Sequence, residues 1–250
     1  MNFEKYFKDK KAIIIGASSG IGSQIAKDLA EYGVFLFLVS RNKKRLESSY
    51  RKIDNKLIIS SDISDCNECK RVANIISENT KFIDYLVFSA GMFKVTSIEN
   101  TNEHDWNQLF DINLKSPFFV IQNILPLLQK GNGKSIVLIS SILAHFGGFQ
   151  TSLYSSSKSG VSSMIKSLCL ELAKDNIRIN SVSPGHVDTP LISDLIKNEE
   201  NKKEIIEKYP LGRIGSVKDI SPFVLFLLSD LCSWITGADF IIDGGRSATV

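Results

Sequence analysis

Three groups of residues in this chain can do chemistry together: Tyr154 with Lys158, Ser141 upstream of them, and the loop Gly16-Ala-Ser-Ser-Gly20-Ile-Gly22. Residues four apart on a helix share a face, so the Tyr154 phenol and the Lys158 ammonium sit side by side. A neighbouring positive charge favours the phenolate and lowers a phenol from its ordinary value of about 10. The pair is then an acid/base group for a carbonyl or an alcohol. The glycine loop offers a place for a dinucleotide, and the combination points to a redox enzyme. Spacing alone does not decide this. Tyr6 and Lys10 share the same spacing, lack any supporting context, and read as an ordinary solvated face.

Gly16-x-x-x-Gly20-x-Gly22 follows one apolar run and opens an amphipathic one, which is the setting a phosphate cradle requires. Without β-carbons the backbone can approach a pyrophosphate, and the helix N-terminus adds free N–H donors and partial positive charge. Ser18 and Ser19 can add hydroxyl donors. A nucleoside triphosphate loop would need Gly-Lys-Ser/Thr, and Gly22-Ser-Gln is not that. About twenty residues on, NAD sites place an acid against the ribose hydroxyls and NADP sites a basic residue. Here the stretch reads Ser40-Arg41-Asn42-Lys43-Lys44-Arg45, with no acid before Glu47. Arg41 can pair with a 2′-phosphate through two hydrogen bonds, so NADP(H) is favoured over NAD. If Arg41 only faces solvent, NAD is the alternative. Asp62 can accept from the adenine amino group or cap the helix after it.

These residues need a scaffold to bring them together. Expected strands are Lys11–Ile15, Phe35–Val39, Leu57–Ser60, Tyr85–Phe88, Ser135–Ile139, Ile177–Val182 and Phe240–Ile242. Helical patterns lie between them at about 20–32, 43–53, 66–79, 103–130, 152–174 and 217–229. Strands alternating with helices predict an α/β fold, a doubly wound parallel sheet of seven strands with helices on both faces. The nearly unbroken β-branched runs fit strands buried on both sides. Ligands in such sheets bind beyond the carboxyl ends of the strands. The glycine loop, Ser40-Arg41, Asp62, Ser89-Ala-Gly91, Ser140-Ser141 and Pro184-Gly185 each follow one strand.

The 250 residues carry no linker, repeat or low-complexity run and are expected to form one domain, 1–250. A net charge of +3, with Lys and Arg interleaved among Asp and Glu, does not indicate nucleic-acid binding. No stretch reaches the roughly 18 apolar residues of a membrane span, and charges near the N-terminus stand where a signal peptide needs an apolar core. A cytoplasmic location is expected. Cys66 and Cys69 form a C-x-x-C, but zinc would need two further ligands at suitable spacing. No metal is expected, and the four cysteines read as reduced thiols.

In order along the chain stand GASSGIG at 16–22, SAG at 89–91, Asn113 within DINLKSPF, ISS at 139–141, YSSSK at 154–158, PGHVDT at 184–189 and DGG at 243–245. In this set and order the chain resembles the short-chain dehydrogenase/reductase family from about Lys11 to Gly245. Its nearest general type is the 3-oxoacyl-(acyl-carrier-protein) reductase. The resemblance implies a single NAD(P)-binding Rossmann-type domain that carries its own substrate loop at about 188–212. Tyr154 would give a proton to a carbonyl oxygen or remove one from an alcohol. Lys158 would lower the Tyr154 pKa and hold the nicotinamide ribose. Ser141 would bond the substrate oxygen, and Asn113 would hold a water that relays protons to Lys158. The cofactor would contact Gly16, Ser18, Ser19, Gly20, Ile21 and Gly22, then Arg41, Asp62 and Ile63, then Ser89, Ala90 and Gly91. Pro184, Gly185, Val187 and Thr189 would meet its nicotinamide end with Tyr154 and Lys158.

The chain departs from the family at two points. Asn-Asn-Ala-Gly is replaced by Phe88-Ser89-Ala90-Gly91, so Ser89 must bond at shorter range or through water. The residue before the first glycine, often Thr, is Ile15. His145 and His186 each fall near the expected pocket and could touch substrate or simply hold a backbone partner. Residues 191–209 look like a lid with Leu191, Ile192, Leu195, Ile196 and Ile205 inward. The resemblance also implies a homotetramer or homodimer, pairing through the helices at 103–130 and 153–174 and through the last helix and strand. Val161, Met164, Leu168 and 223–228 are the candidate faces. The expected activity is NADPH-dependent reduction of a small-molecule ketone or aldehyde, or of a carrier-bound acyl group, or the reverse oxidation of the alcohol. A non-catalytic dinucleotide sensor is the reading from another class. The substrate itself has no readable code.

Overall fold

The apolar runs become strands Lys11–Ile15 (β1), Phe35–Ser40 (β2), Lys56–Ser60 (β3), Tyr85–Phe88 (β4), Ser135–Ile139 (β5), Arg178–Pro184 (β6) and Asp239–Ile242 (β7) in the computed structural model, which describes residues 4–249. The ends of the expected domain, 1–3 and 250, lie outside the described residues. All seven strands join one sheet in the order β3-β2-β1-β4-β5-β6-β7, every pair parallel. The helices are Glu4–Phe7 (α1), Gly20–Glu31 (α2), Lys43–Ser49 (α3), Cys66–Asn79 (α4), Glu103–Phe110 (α5), Ser116–Leu128 (α6), Ser152–Leu172 (α7), Ser193–Ile196 (α8), Glu199–Glu207 (α9) and Val217–Leu228 (α10).

Successive side chains of a strand point to opposite faces, and both faces here are dry. Ile13, Ile15, Phe37, Leu86, Phe88 and Ile136 pack under α4, α6 and α7. Ala12, Ile14, Leu36, Leu38, Val87 and Val137 pack under α2 and α10. Each buried Ile, Leu or Phe contributes about 1.5–3 kcal/mol through apolar area removed from water. Arg178 closes the far side by donating to the carbonyls of Leu227 (2.8 Å) and Ser229 (2.9 Å) at the C-terminus of α10, where a cation suits the helix dipole. The chain order reverses at β1, whose neighbours are β2 and β4. Ligands bind outside the carboxyl ends at such a point. No helix among the described residues is long and apolar enough to cross a membrane.

Three expectations change. The pattern over 103–130 is two helices joined by a π-helical turn, Asp111–Lys115, with the Ser116 hydroxyl donating to the Asp111 carbonyl at 2.6 Å. Such turns cluster at functional sites, and Asn113 lies in this one. The helix at 43–53 stops at Ser49 because Tyr50 turns into the core and donates to the Ala17 carbonyl at 2.6 Å. The proposed pairing faces are largely consumed within the chain itself. Val161 and Leu168 belong to the core beneath α7, with Met164 packed against it, and Val224, Leu225, Leu227 and Leu228 are buried beneath α10. Apolar positions at helical spacing face the sheet first. Leu170 and Phe118 are the exposed large apolar residues of α6 and α7.

The Tyr6/Lys10 pair dissolves. The first helix ends at Phe7, the Tyr6 carbonyl accepts from the Tyr85 hydroxyl at 3.0 Å, and Lys10 lies 3.8 Å from the buried Asp84 carboxylate. Asp84 also accepts from the backbone of Lys11 (2.9 Å), Asn132 (2.8 Å) and Gly133 (3.0 Å). These contacts sit at the amino edge of the sheet, opposite the glycine loop.

Candidate active site

The glycine loop leaves β1 under tight constraint. The Gly16 N–H donates to the Val39 carbonyl at 2.9 Å, and the loop turns through positive φ at Gly16 (+86°) and Gly20 (+58°). A β-carbon on Gly16 would lie 2.5 Å from the Ala90 nitrogen, and one on Gly22 would lie 2.6 Å from the Gly16 carbonyl oxygen. The loop and the Ser89-Ala90-Gly91 turn are therefore pressed together backbone to backbone. Ser89 contributes its N–H to the Ile15 carbonyl at 2.9 Å, and its β-carbon is the second neighbour of Gly22. Gly22→Ala forces backbone to move and is expected to lower stability by about 1–3 kcal/mol, read as a drop in melting temperature. Ser18 accepts from the Ser40 hydroxyl at 2.8 Å, and Tyr50 braces the loop from behind. Sequence reasoning missed Tyr50, since nothing local distinguishes it from a helix residue.

A single cleft of about 740 Å³ runs from this loop to Tyr154. Its lining includes Gly16, Ser18, Ser19, Gly20, Ile21, Arg41, Asp62, Ile63, Ser89, Ala90 and Gly91. Ser141, Tyr154, Lys158, Pro184, Gly185, Val187 and Thr189 complete it. Arg41 and Asp62 face each other at 3.9 Å, both solvated. Thr189 stands over the start of α2, 3.1 Å from where a β-carbon on Gly20 would lie. The Ile63 carbonyl is held by the Ser116 hydroxyl. Gly22 and Asn113 sit behind the lining and support it.

Tyr154 and Lys158 both come from α7 and are buried, with Tyr154 5% exposed. The Tyr154 ring meets Phe93 edge-on, with centroids 4.8 Å apart. Phe93, two residues beyond Gly91, had no signal in the sequence. The Lys158 Nζ lies 5.9 Å from the Tyr154 ring centroid and donates to the Ile139 carbonyl at 2.9 Å. Ser141 follows β5, accepts from the Leu143 N–H at 3.2 Å, and lines the cleft with Tyr154.

The expected lowering of the Tyr154 pKa is not what the chain alone produces. Burial pushes Tyr154 up to about 12, with Ser141 opposing only in part. Burial also drives Lys158 down to about 8, with Asp239 opposing. In this dry pocket desolvation outweighs the mutual influence of the pair. The Asp239 carboxylate is itself held by Ser183 at 2.8 Å and by His145 Nε2 at 3.1 Å. His145 is thus turned away from the cleft toward Asp239, whereas His186 lines the cleft with its Nδ1 2.6 Å from the Tyr209 hydroxyl.

Asn113 lies at the centre of a small hydrogen-bond cluster. Its side-chain N–H groups donate to the Met92 carbonyl at 2.9 Å and the Ser157 hydroxyl at 3.1 Å, and its Oδ1 accepts from the Met92 N–H at 2.9 Å. One donor and the Oδ1 clamp Met92, just after Gly91, and the other donor ties the turn to Ser157 of α7, which leaves one lone pair of Oδ1 for a water. The lid pattern is realised in α8 and α9. Ile192, Leu195 and Ile205 line the cleft, Ile196 is half-buried, and Leu191 is half-exposed at the rim. Beyond α9, Arg213 forks onto Asp219 at 2.7 and 2.8 Å and fixes the segment's end.

The chain matches the family model described as "Enoyl-(Acyl carrier protein) reductase" over residues 16–247. It is 32% identical to 3-oxoacyl-(acyl-carrier-protein) reductase FabG of Thermotoga maritima, across 94% of this chain and 97% of that one. It is 36% identical to carbonyl reductase family member 4 of Xenopus laevis, again across 94% and 97%. Among solved structures, a short-chain type dehydrogenase/reductase from Mycobacterium marinum superposes with a TM-score of 0.92, at 28% identity over 98% of both chains.

Proposed function

The chain belongs to the short-chain dehydrogenase/reductase family, enzymes acting on carbonyl and CH–OH groups, and on that footing we propose that it is an NADPH-dependent carbonyl reductase with Tyr154 as its proton donor. One cleft that holds Arg41 at one end and Ser141, Tyr154 and Lys158 at the other carries this assignment. The glycine cradle fits a dinucleotide, because its backbone lies where β-carbons would have to be.

When bound, reduced nicotinamide supplies a hydride to the carbonyl carbon. Ser141 bonds the carbonyl oxygen and holds it toward Tyr154. The Tyr154 hydroxyl delivers the proton to that oxygen. With its pKa pushed up to about 12 by burial, Tyr154 holds its proton at neutral pH. Lys158 contributes a cation beside the phenol, so that the phenolate left after transfer is stabilised. Asn113 positions the segment after Gly91, against which a β-carbon would already touch both its own Oδ1 (3.3 Å) and Lys158 Nζ (3.6 Å). Phe93 and the aliphatic wall exclude water around the reacting oxygen.

NADPH is favoured because Arg41 is the first charged group beyond β2 and lines the cleft opposite the loop. The FabG-type relatives agree with a carbonyl substrate. Titration of intrinsic fluorescence with each cofactor is expected to show NADPH bound more tightly than NADH. Arg41→Ala is expected to weaken NADPH about 10-fold while leaving NADH unchanged. Equal binding of both cofactors by the unaltered protein would remove the Arg41 assignment. Loss of nicotinamide absorbance over a panel of ketones, aldehydes and acyl thioesters tests the activity itself. A homotetramer or homodimer belongs to the same proposal, with a light-scattering mass as its test.

A further inference from the structure

The substrate end of the cleft has apolar walls and a cationic mouth. Phe93, Val95, Leu143, Phe149, Leu195 and Ile205 form the walls. Lys208, at the C-terminal cap of α9, and Arg246, in the turn after β7, line the same cleft. His186 lines the same cleft. Burial together with the charges of Lys208 and Arg246 holds the His186 imidazole below its ordinary value, so the positive charge at the mouth is theirs and not the imidazole's.

Among the described residues no ion pair includes Lys208 or Arg246. The Arg246 guanidinium lies over the Phe146 ring at 5.6 Å and donates to the Thr249 hydroxyl at 3.1 Å. Asp243, three residues before Arg246, is turned onto the backbone, accepting from Gly245 at 2.9 Å and Ser247 at 2.6 Å. Asp62 is the one acid lining the cleft among the described residues, and it faces Arg41 at the other end. Lys158 lies in the buried interior beside Tyr154, not at the mouth.

We propose that Lys208 and Arg246 form an anion subsite, and that the substrate is a ketone on an apolar body ending in a carboxylate or phosphate. The proposal rests on the carbonyl-reductase reading of the same cleft. The apolar walls take the body, and the guanidinium can fork onto the terminal anion. A free carboxylate and the phosphate of a carrier-derived arm would satisfy the same two cations, so the test needs both.

With NADPH present, kcat/KM is measured for a medium-chain keto acid against its methyl ester, and for a keto-acyl pantetheine thioester with and without its terminal phosphate. The anionic member of at least one pair is expected to be preferred about 10-fold or more. The effect should fall on KM, shrink as salt rises, and approach parity in Arg246→Gln and Lys208→Gln. Preference in the first pair identifies a free acid, and preference in the second a carrier-derived phosphate. Parity in both pairs, or a preference that survives both substitutions, overturns the proposal. Calorimetry with a redox-inert medium-chain carboxylate against its methyl ester, and with an alkyl phosphate against its neutral dimethyl ester, reads the subsite without turnover. Tighter binding of an anion that is lost in Arg246→Gln supports it, and parity for both overturns it. If an anion binds in this way while no ketone is reduced, the reductase reading fails and the subsite stands.

Discussion

Tyr154→Phe is expected to fold, to bind dinucleotide as the unaltered protein does, and to turn substrate over about 10²–10⁴-fold more slowly. The substitution removes one oxygen. The ring remains against Phe93, so the packing that shapes the pocket is kept. What is lost is the phenolic proton beside Ser141 in the cleft, and with it, on the proposed function, the group that neutralises the developing alkoxide. A polar atom also leaves a site where burial had pushed it to about 12, so stability should hold or rise slightly. The measurement is single-turnover reduction alongside a cofactor titration. Activity within a few-fold of the original would mean that another group supplies the proton.

Lys158→Met is expected to do two opposite things, abolishing turnover and stabilising the fold. The Lys158 amine is driven from 10.5 to about 8 by burial. At about 1.4 kcal/mol for each tenfold, the native state disfavours the ammonium by about 3 kcal/mol relative to the unfolded chain. A lysine whose native pKa is depressed lowers stability while both states carry the charge, which is at any pH below about 8. Between about 8 and 10.5 the unfolded chain holds the extra proton, so stability rises with pH and the penalty disappears. Methionine never carries it. Losing the bond to the Ile139 carbonyl and the partner of Asp239 returns part of the gain. The variant should therefore be more stable by about 1–3 kcal/mol at neutral pH, with the difference closing as pH approaches 10.5. Denaturant melts of both proteins at neutral and alkaline pH check it. A less stable variant at neutral pH would show that the ammonium is fully compensated where it lies. On the proposed function the cation is kept because the reaction needs it there, a cost that active sites commonly impose on stability.

Much of this protein was legible in its residues before any coordinates. The seven strands were read to within two residues at either end, since most are short runs of apolar, β-branched or aromatic residues bounded by polar or small ones. The alternation of strands with helices specified a parallel doubly wound sheet, and that sheet specified the edge where ligands bind. Gly16, Ser141, Tyr154 and Lys158 could be named because their types are scarce solutions to particular demands: close backbone approach, a short hydroxyl, a phenol one turn from an amine.

What only the tertiary structure decided concerns surroundings, which sequence distance does not encode. Tyr6 and Lys10 matched Tyr154 and Lys158 in spacing. They parted because one pair lies at the amino edge of the sheet, where Lys10 meets Asp84, and the other in a dry pocket at the carboxyl edge. The same dryness reversed the expected direction for the Tyr154 pKa, because desolvation depends on every neighbour within several ångströms and not on residue type. The fold also set Asn113 as a clamp on Met92 and placed Lys208 and Arg246 along one cleft although 38 positions separate them in the chain. Periodicity and residue type are local properties that the chain carries by itself. Burial and charge environment arise when distant segments meet, and only the folded molecule has them.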